Sequence, residues 1–343
     1  MRLLLWFVVC VFVMFSNVAK AQQKLLFASF SGTLENTFRK VIIPPFEKKH
    51  GVVIQYVAGN SNETLAKLIA QRGKQVFDVI MLDDGPMYQA VALGFCDKIR
   101  PSRELEDLYP SARAWDGKAV GIGVVATGLA YNKKTFQEQG WPAPTSWKDL
   151  ADSRFRGRVA GIPVSNGYGL HTLVMMARLN GGNERQIEPG FEAIRTQVKP
   201  NVLVWEANAG QITQLFQSGE VALSVWGSGR VKALADTGFP LEFVFPKEGA
   251  VELMESVCPV AGRKLADLSQ EFVRYLLSPE TQAIFATNEG YGPTNRTTVI
   301  PPKVAERVPY GQEKISRLIK VDWASVNEKR VSWIERWARE IER

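Results

Sequence analysis

The side chains best equipped for chemistry in this sequence are few, and they cluster at the ends of apolar runs. Asp83 and Asp84 follow the run from Phe77 to Leu82, Glu255 stands beside the run Val257-Cys258-Pro259-Val260, and Arg230 closes Trp226-Gly227-Ser228-Gly229. Carboxylates in such positions pair with ammonium groups, and a guanidinium pairs with an anion. Around them lie small polar loops, Phe30-Ser31-Gly32-Thr33 and Ser165-Asn166-Gly167-Tyr168, rich in hydroxyl, amide and exposed N–H groups. Such groups hold a ligand by hydrogen bonds. Bond making asks for more, because a nucleophile needs an adjacent base. The chain has only two histidines, His50 at the end of a helical stretch and His171 just past a loop, and no Gly-x-Ser-x-Gly segment. Without Cys-x-x-Cys or HExxH spacing, a metal centre is not indicated either. The sequence therefore reads as a binder, with no enzyme activity and no cofactor expected.

What must position these residues is an alternation of strands and helices. Leu25-Leu26-Phe27-Ala28 reads as a buried strand that runs through residues 29–33 into an amphipathic helix over about 34–49. The unit recurs as strand 52–56, turn 59–62 and helix 63–71, then as strand 77–82 and a helix opened by Pro86. Alternation of this kind predicts a mostly parallel sheet covered on both faces, with ligands outside the carboxyl ends of its strands. A glycine-dotted β-prone run over 119–132 contains Gly121-x-Gly123-x-x-Ala126, but strand-forming residues continue where a dinucleotide fold would open a helix. It reads as a strand crossing between two lobes. A second α/β set follows, and residues 243–245 and 255–260 read as the return crossing. The last helix, 321–342, carries Trp323, Val326, Trp333, Trp337 and Ile341 at helical spacing, a stripe expected to pack on the body.

At 343 residues, 45% of them hydrophobic and 22% charged, the chain has room for two cored units. Its net charge of +7 is spread among acids, so nucleic acid is not an expected partner. Arg2, the apolar run 3–15 and Ala19-Lys20-Ala21 read as a secretory signal cleaved before Gln22, which sends the mature chain across a membrane. Export leaves Cys96 and Cys258, an even pair that could bridge, although a chain this long needs no staple and two separate buried thiols are the favoured expectation.

The pieces Asn60-Ser61-Asn62-Glu63-Thr64-Leu65-Ala66-Lys67-Leu68, Ser146-Trp147-Lys148-Asp149-Leu150 with Phe155-Arg156-Gly157, and Gly219-Glu220-Val221 recur in a known order. Phe245-Pro246-Lys247-Glu248-Gly249, Met254-Glu255-Ser256, and Gly290-Tyr291 with Pro293-Thr294-Asn295 continue it. Together they resemble the bacterial extracellular solute-binding proteins of ABC importers, close to the spermidine/putrescine-binding branch. The resemblance implies a type II periplasmic-binding-protein fold of two α/β lobes, each a mixed sheet flanked by helices and joined by crossing hinge strands. Lobe 1 would comprise 22–124 plus 253–320, lobe 2 125–252, and 321–343 a packing helix. It implies a monomer in the periplasm that closes on a small polar solute, a polyamine-like cation or a zwitterion, and delivers it to a membrane permease. The cleft would be lined by Phe30, Ser31, Thr33, Asp83, Asp84, Ser165, Asn166, Tyr168, Trp226, Ser228, Arg230 and Glu255. Ser165-Asn166 stands where that branch carries paired aspartates, Leu253 where it carries a tryptophan, and Glu255 where an aspartate is usual. These departures suggest a ligand with a cationic end near Asp83, Asp84 or Glu255 and a neutral or anionic end near the glycine-serine loops. A ferric-ion or anion (phosphonate or carboxylate) carrier of the same fold, a ligand sensor, or an enzyme are the alternatives.

Overall fold

The computed structural model describes residues 23–343. The expected signal and Cys10 lie outside them. Strands β1 (Lys24–Phe30), β2 (Val53–Gly59) and β3 (Val79–Asp83) are parallel, with β1 between the other two. The Val-Ile-Met-Leu of β3 is buried throughout, as a strand covered on both faces requires. The chain crosses from β1 to β2 through α1 (Thr33–Thr37), a wide π-helical turn over Phe38–Ile42 and α2 (Ile43–His50). One uninterrupted helix was expected there. Pro44 and Pro45 lack the N–H groups that regular pairing would use, and the turn ahead of them widens. Helices α3 (Ser61–Ala70) and α4 (Asp84–Ala92) follow β2 and β3.

The remaining strands are β4 (Val120–Asn132), β5 (Val159–Gly161), β6 (Val202–Trp205), β7 (Leu223–Gly227), β8 (Leu241–Val244) and β9 (Val251–Pro259). They join the first three in one path, β2-β1-β3-β9-β4-β7-β5-β6, with β8 also on β4. The order β6-β5-β7-β4 repeats β2-β1-β3-β9: three parallel strands, then one running the other way. At the centre β4 and β9 pair antiparallel and pass from one half to the other. All thirteen residues of β4 are buried, and its register shifts between Gly121 and Gly123. A Cβ on Gly123 would lie 2.8 Å from the Tyr291 ring, so the glycine lets that side chain lie against the crossing strand. Residues 243–245 are not part of the return, which starts at Val251. Leu241–Val244 instead lies along β4 as an extra strand, and Phe245 beyond it is 48% exposed.

Separate apolar cores lie on the two sides of this crossing. The first gathers Phe27, Phe38, Phe272 and Phe285, with Phe27 and Phe272 edge to face at 5.1 Å. Its later members come from α8 (Ala266–Leu276) and α9 (Pro279–Glu289). The second gathers Phe136, Trp147, Phe155 and Phe191 under α5 (Gly167–Leu179), and a smaller one joins Phe216 of α6 (Ala209–Ser218) to Trp226, ahead of α7 (Ser228–Asp236). The last helix, α10 (Trp323–Glu340), places Trp323, Val326, Trp333 and Trp337 in the second core, as its stripe predicts.

The cysteines overturn an expectation. Cys96 and Cys258 form a disulfide, their Cα atoms 5.7 Å apart. The reason is topological: β9 returns beside the loop after α4, where Cys96 pairs with Val260, and this brings together thiols 162 residues apart.

Candidate functional site

The register of β3 against β9 sets the electrostatics of the site. It pairs Asp83 directly with Glu255, and Leu82 with Ser256. Like charges facing each other across strands repel. Asp84 adds a third carboxyl one residue on, and Asp84 and Glu255 are only 5% and 6% exposed. Burial first, then the neighbouring acids, hold Glu255 and Asp84 well above the usual carboxylate range. Asp83 is raised too, chiefly by burial, against the Ser61 hydroxyl that donates to its Oδ2 at 2.8 Å. Asp84 Oδ1 accepts from the Gly85 N–H at 3.0 Å, whereas Glu255 Oε2 has no partner. Neither aspartate caps α4 with its side chain.

Two arginines face these acids. Arg230 sits in the first turn of α7, whose N-cap, Gly227, supplies no side-chain cap. Protein surrounds it, yet its side chain is exposed to the cleft. Arg330, on α10, is 7% exposed and donates to the Ser165 carbonyl at 3.2 Å. Tyr168 and Tyr291 stand nearby. Burial raises both hydroxyls, that of Tyr168 to about 12, so both remain neutral hydrogen-bond donors. Trp226 is 2% exposed and stacks on Phe216 at 6.0 Å, so most of its ring belongs to the core and only an edge reaches the cleft.

These groups line one cleft of about 640 Å³, a volume suited to a small solute. Phe30, Ser31, Thr33, Asp83, Asp84, Ser165, Asn166, Tyr168, Trp226, Arg230 and Glu255 all border it. Ser228 does not. It is 1% exposed, and its Oγ accepts the Ala126 N–H at 3.2 Å, so it ties α7 to β4. Two other residues are partly committed: Thr33 donates to Glu289 at 2.9 Å, and Asn166 caps α5 through the Tyr168 N–H at 2.9 Å. Ser31 is exposed and open to a ligand.

The cleft also contains Asn62, Glu289, Trp323 and Arg330, which the sequence reading did not place there. For Arg330 a signal existed. Residues 323, 326, 330, 333 and 337 are spaced three and four apart, so a charged residue lies inside the apolar stripe of α10. A buried arginine in such a stripe needs a polar destination.

Comparison with known proteins places this geometry. Residues 42–309 match the family model described as bacterial extracellular solute-binding protein. A gamma-aminobutyric acid-binding protein of Pseudomonas aeruginosa is 26% identical over 339 residues, covering 94% of each chain. A spermidine/putrescine-binding periplasmic protein 1 of Haemophilus influenzae is 25% identical over 279 residues, 77% of this chain and 75% of that one. The crystal structure of a solute-binding protein from Bordetella parapertussis superposes with a TM-score of 0.77 at 25% identity, covering 94% of this chain and 99% of the other. Its neighbours share the two-lobed fold of periplasmic binding proteins. The chain belongs to the bacterial extracellular solute-binding protein family, whose model it matches over most of its length.

Proposed function

We propose that this protein captures a small zwitterion, an ω-amino acid of the 4-aminobutanoate type, between its lobes in the periplasm and hands it to an ABC permease. The observation that carries the reading is the facing pair Asp83 and Glu255, with an unpartnered carboxylate oxygen, in the same cleft as Arg230. An ammonium group between the two acids relieves their repulsion and takes the free oxygen as a hydrogen-bond acceptor. A carboxylate at the other end meets Arg230 and the uncapped N–H groups that open α7, where a helix favours negative charge. The relative that binds gamma-aminobutyric acid matches the chain over nearly its full length, which supports the same class.

The separate apolar cores on the two sides of the crossing strands support a division into two lobes. We assign 22–124 plus 253–320 to lobe 1 and 125–252 to lobe 2, with 321–343 as a helix packed mainly on lobe 2. A ligand that touches both favours the closed form by its differential affinity, and closure is what a permease reads. Among the described residues no helix is long and apolar enough to cross a membrane.

Calorimetric titration of the mature chain tests the proposal with 4-aminobutanoate, putrescine, spermidine and butyrate. Binding of the amino acid at least about tenfold tighter than either polyamine or butyrate, a gap of about 1.4 kcal/mol, is expected. Tight binding of the polyamines alone would make this a polyamine carrier and overturn the zwitterion reading.

A further inference from the structure

We infer that Arg330, delivered by the last helix, is a resident counter-cation that sets how many ammonium groups the cleft accepts. Three observations converge on it. First, α10 ties both sides of the cleft together. Its Trp323 ring presses on Gly85, where a Cβ would lie 2.5 Å from the ring, and its Asn327 donates to the Gly85 carbonyl at 3.3 Å. Asn327 also accepts from Gln89 at 3.1 Å. The same helix is anchored by Trp333 and Trp337 in the other core. The position of Arg330 is therefore fixed by packing at both ends of the helix.

Second, Arg330 faces Asp83 and Asp84, whose charges favour its own, while burial opposes it. Its one hydrogen bond to protein goes to the Ser165 carbonyl, which also accepts from Asn62 across the cleft at 3.5 Å. The other donors of its guanidinium fork are unspent among the described residues.

Third, the charges constrain the ligand. Asp83, Asp84 and Glu255 put three acids on the wall, and Arg330 already occupies the field of two of them. A ligand's first ammonium group settles between Asp83 and Glu255. A second one, as on a diamine, would have to approach the guanidinium. A carboxylate directed to Arg230, or a neutral end, brings no second positive charge to it.

The preference for the amino acid over the diamine rests on the proposed function; the repulsion of a second cation does not. Arg330→Gln and Arg330→Lys, titrated with putrescine and 4-aminobutanoate, test it. Arg330→Gln is expected to bind putrescine about tenfold more tightly than wild type, the scale of one charge interaction across a partly solvated cleft, while the amino acid, whose carboxylate goes to Arg230, changes by less than about threefold. Arg330→Lys, which keeps the charge, should restore the wild-type order. A general loss of fold would weaken both ligands together, and circular dichroism on each variant reports it. Failure of Arg330→Gln to gain putrescine affinity, with the fold intact, overturns the inference whether or not wild type binds the amino acid. So does a pair of proteins in which neither binds any amine. If putrescine tightens but wild type never prefers the amino acid, the counter-cation stands and the zwitterion proposal falls.

Discussion

Replacing Glu255 by glutamine should strengthen the empty protein and weaken its complex, an opposed pair of effects that a merely structural residue would not produce. Directly opposed residues on antiparallel strands have Cα atoms roughly 4.5–5.5 Å apart, and Asp83 and Glu255 are such a pair. Glu255 is 6% exposed, and one of its oxygens has no partner. A buried unsatisfied polar group costs about 1–3 kcal/mol, and glutamine removes the repulsion while keeping shape. We expect the ligand-free variant to be more stable by about 1–2 kcal/mol, a rise in Tm of about 2–6 °C. Binding should suffer by the worth of a hydrogen bond to a charged group, about 1.5–3 kcal/mol, which weakens Kd by about 10–150-fold. The pH dependence has a definite sign. Because burial and neighbouring acids raise the folded pKa of Glu255, its contribution to stability is present below the unfolded carboxylate range and is lost as pH rises through the raised value. Holding the pair ionised in the fold is therefore a burden, and the stability gained by Glu255→Gln should shrink as the pH falls toward about 4. Scanning calorimetry at several pH values and titration calorimetry at neutral pH measure both quantities. A lower Tm with unchanged affinity would refute the reasoning.

The disulfide makes a separate prediction. Paired Cys96→Ser and Cys258→Ser substitutions should cost about 2–4 kcal/mol, yet shift affinity by less than about threefold, because Cys258 lies roughly 10 Å along β9 from Glu255; denaturant melts and titration check the two parts. Trp337 is 1% exposed and meets Trp205 edge to face at 5.0 Å. Trp337→Ala should cost about 3–5 kcal/mol and, by loosening α10, weaken ligand binding as well, read by urea melts and by the affinity of the still-folded fraction. Acid should also weaken the complex, because an ammonium ligand needs Asp83, Asp84 and Glu255 ionised and all three are held above the usual range. Affinity measured from pH 8 to pH 5 should fall toward the acid end, and a flat profile would contradict the assigned role of the acids.

Much of this architecture was legible because it rests on short-range signals. The strand, polar loop and helix around Phe30 and those around Asp83 are local, and the loops at their junctions fall at the cleft as the α/β rule requires. Residues 119–132 were legible as a crossing strand because β-forming residues continued through the glycines. What escaped depended on register and return. No local pattern says that Glu255 faces Asp83, that Cys258 comes back beside Cys96, or that the last helix reaches the cleft. Ser228 shows the converse. Its loop was located correctly, but one turn of helix rotated its hydroxyl onto the Ala126 amide and away from the ligand. The strand over 243–245 was misassigned because a short apolar run carries no information about which neighbour it will pair with.

The measurement that bears most directly on the central claim is a crystal structure of the mature chain grown with 4-aminobutanoate. The ammonium nitrogen is expected within hydrogen-bond distance of both Asp83 and Glu255, with the carboxylate turned toward Arg230 and the start of α7. A ligand in the reverse orientation, or one held without contact to the facing acids, would contradict it.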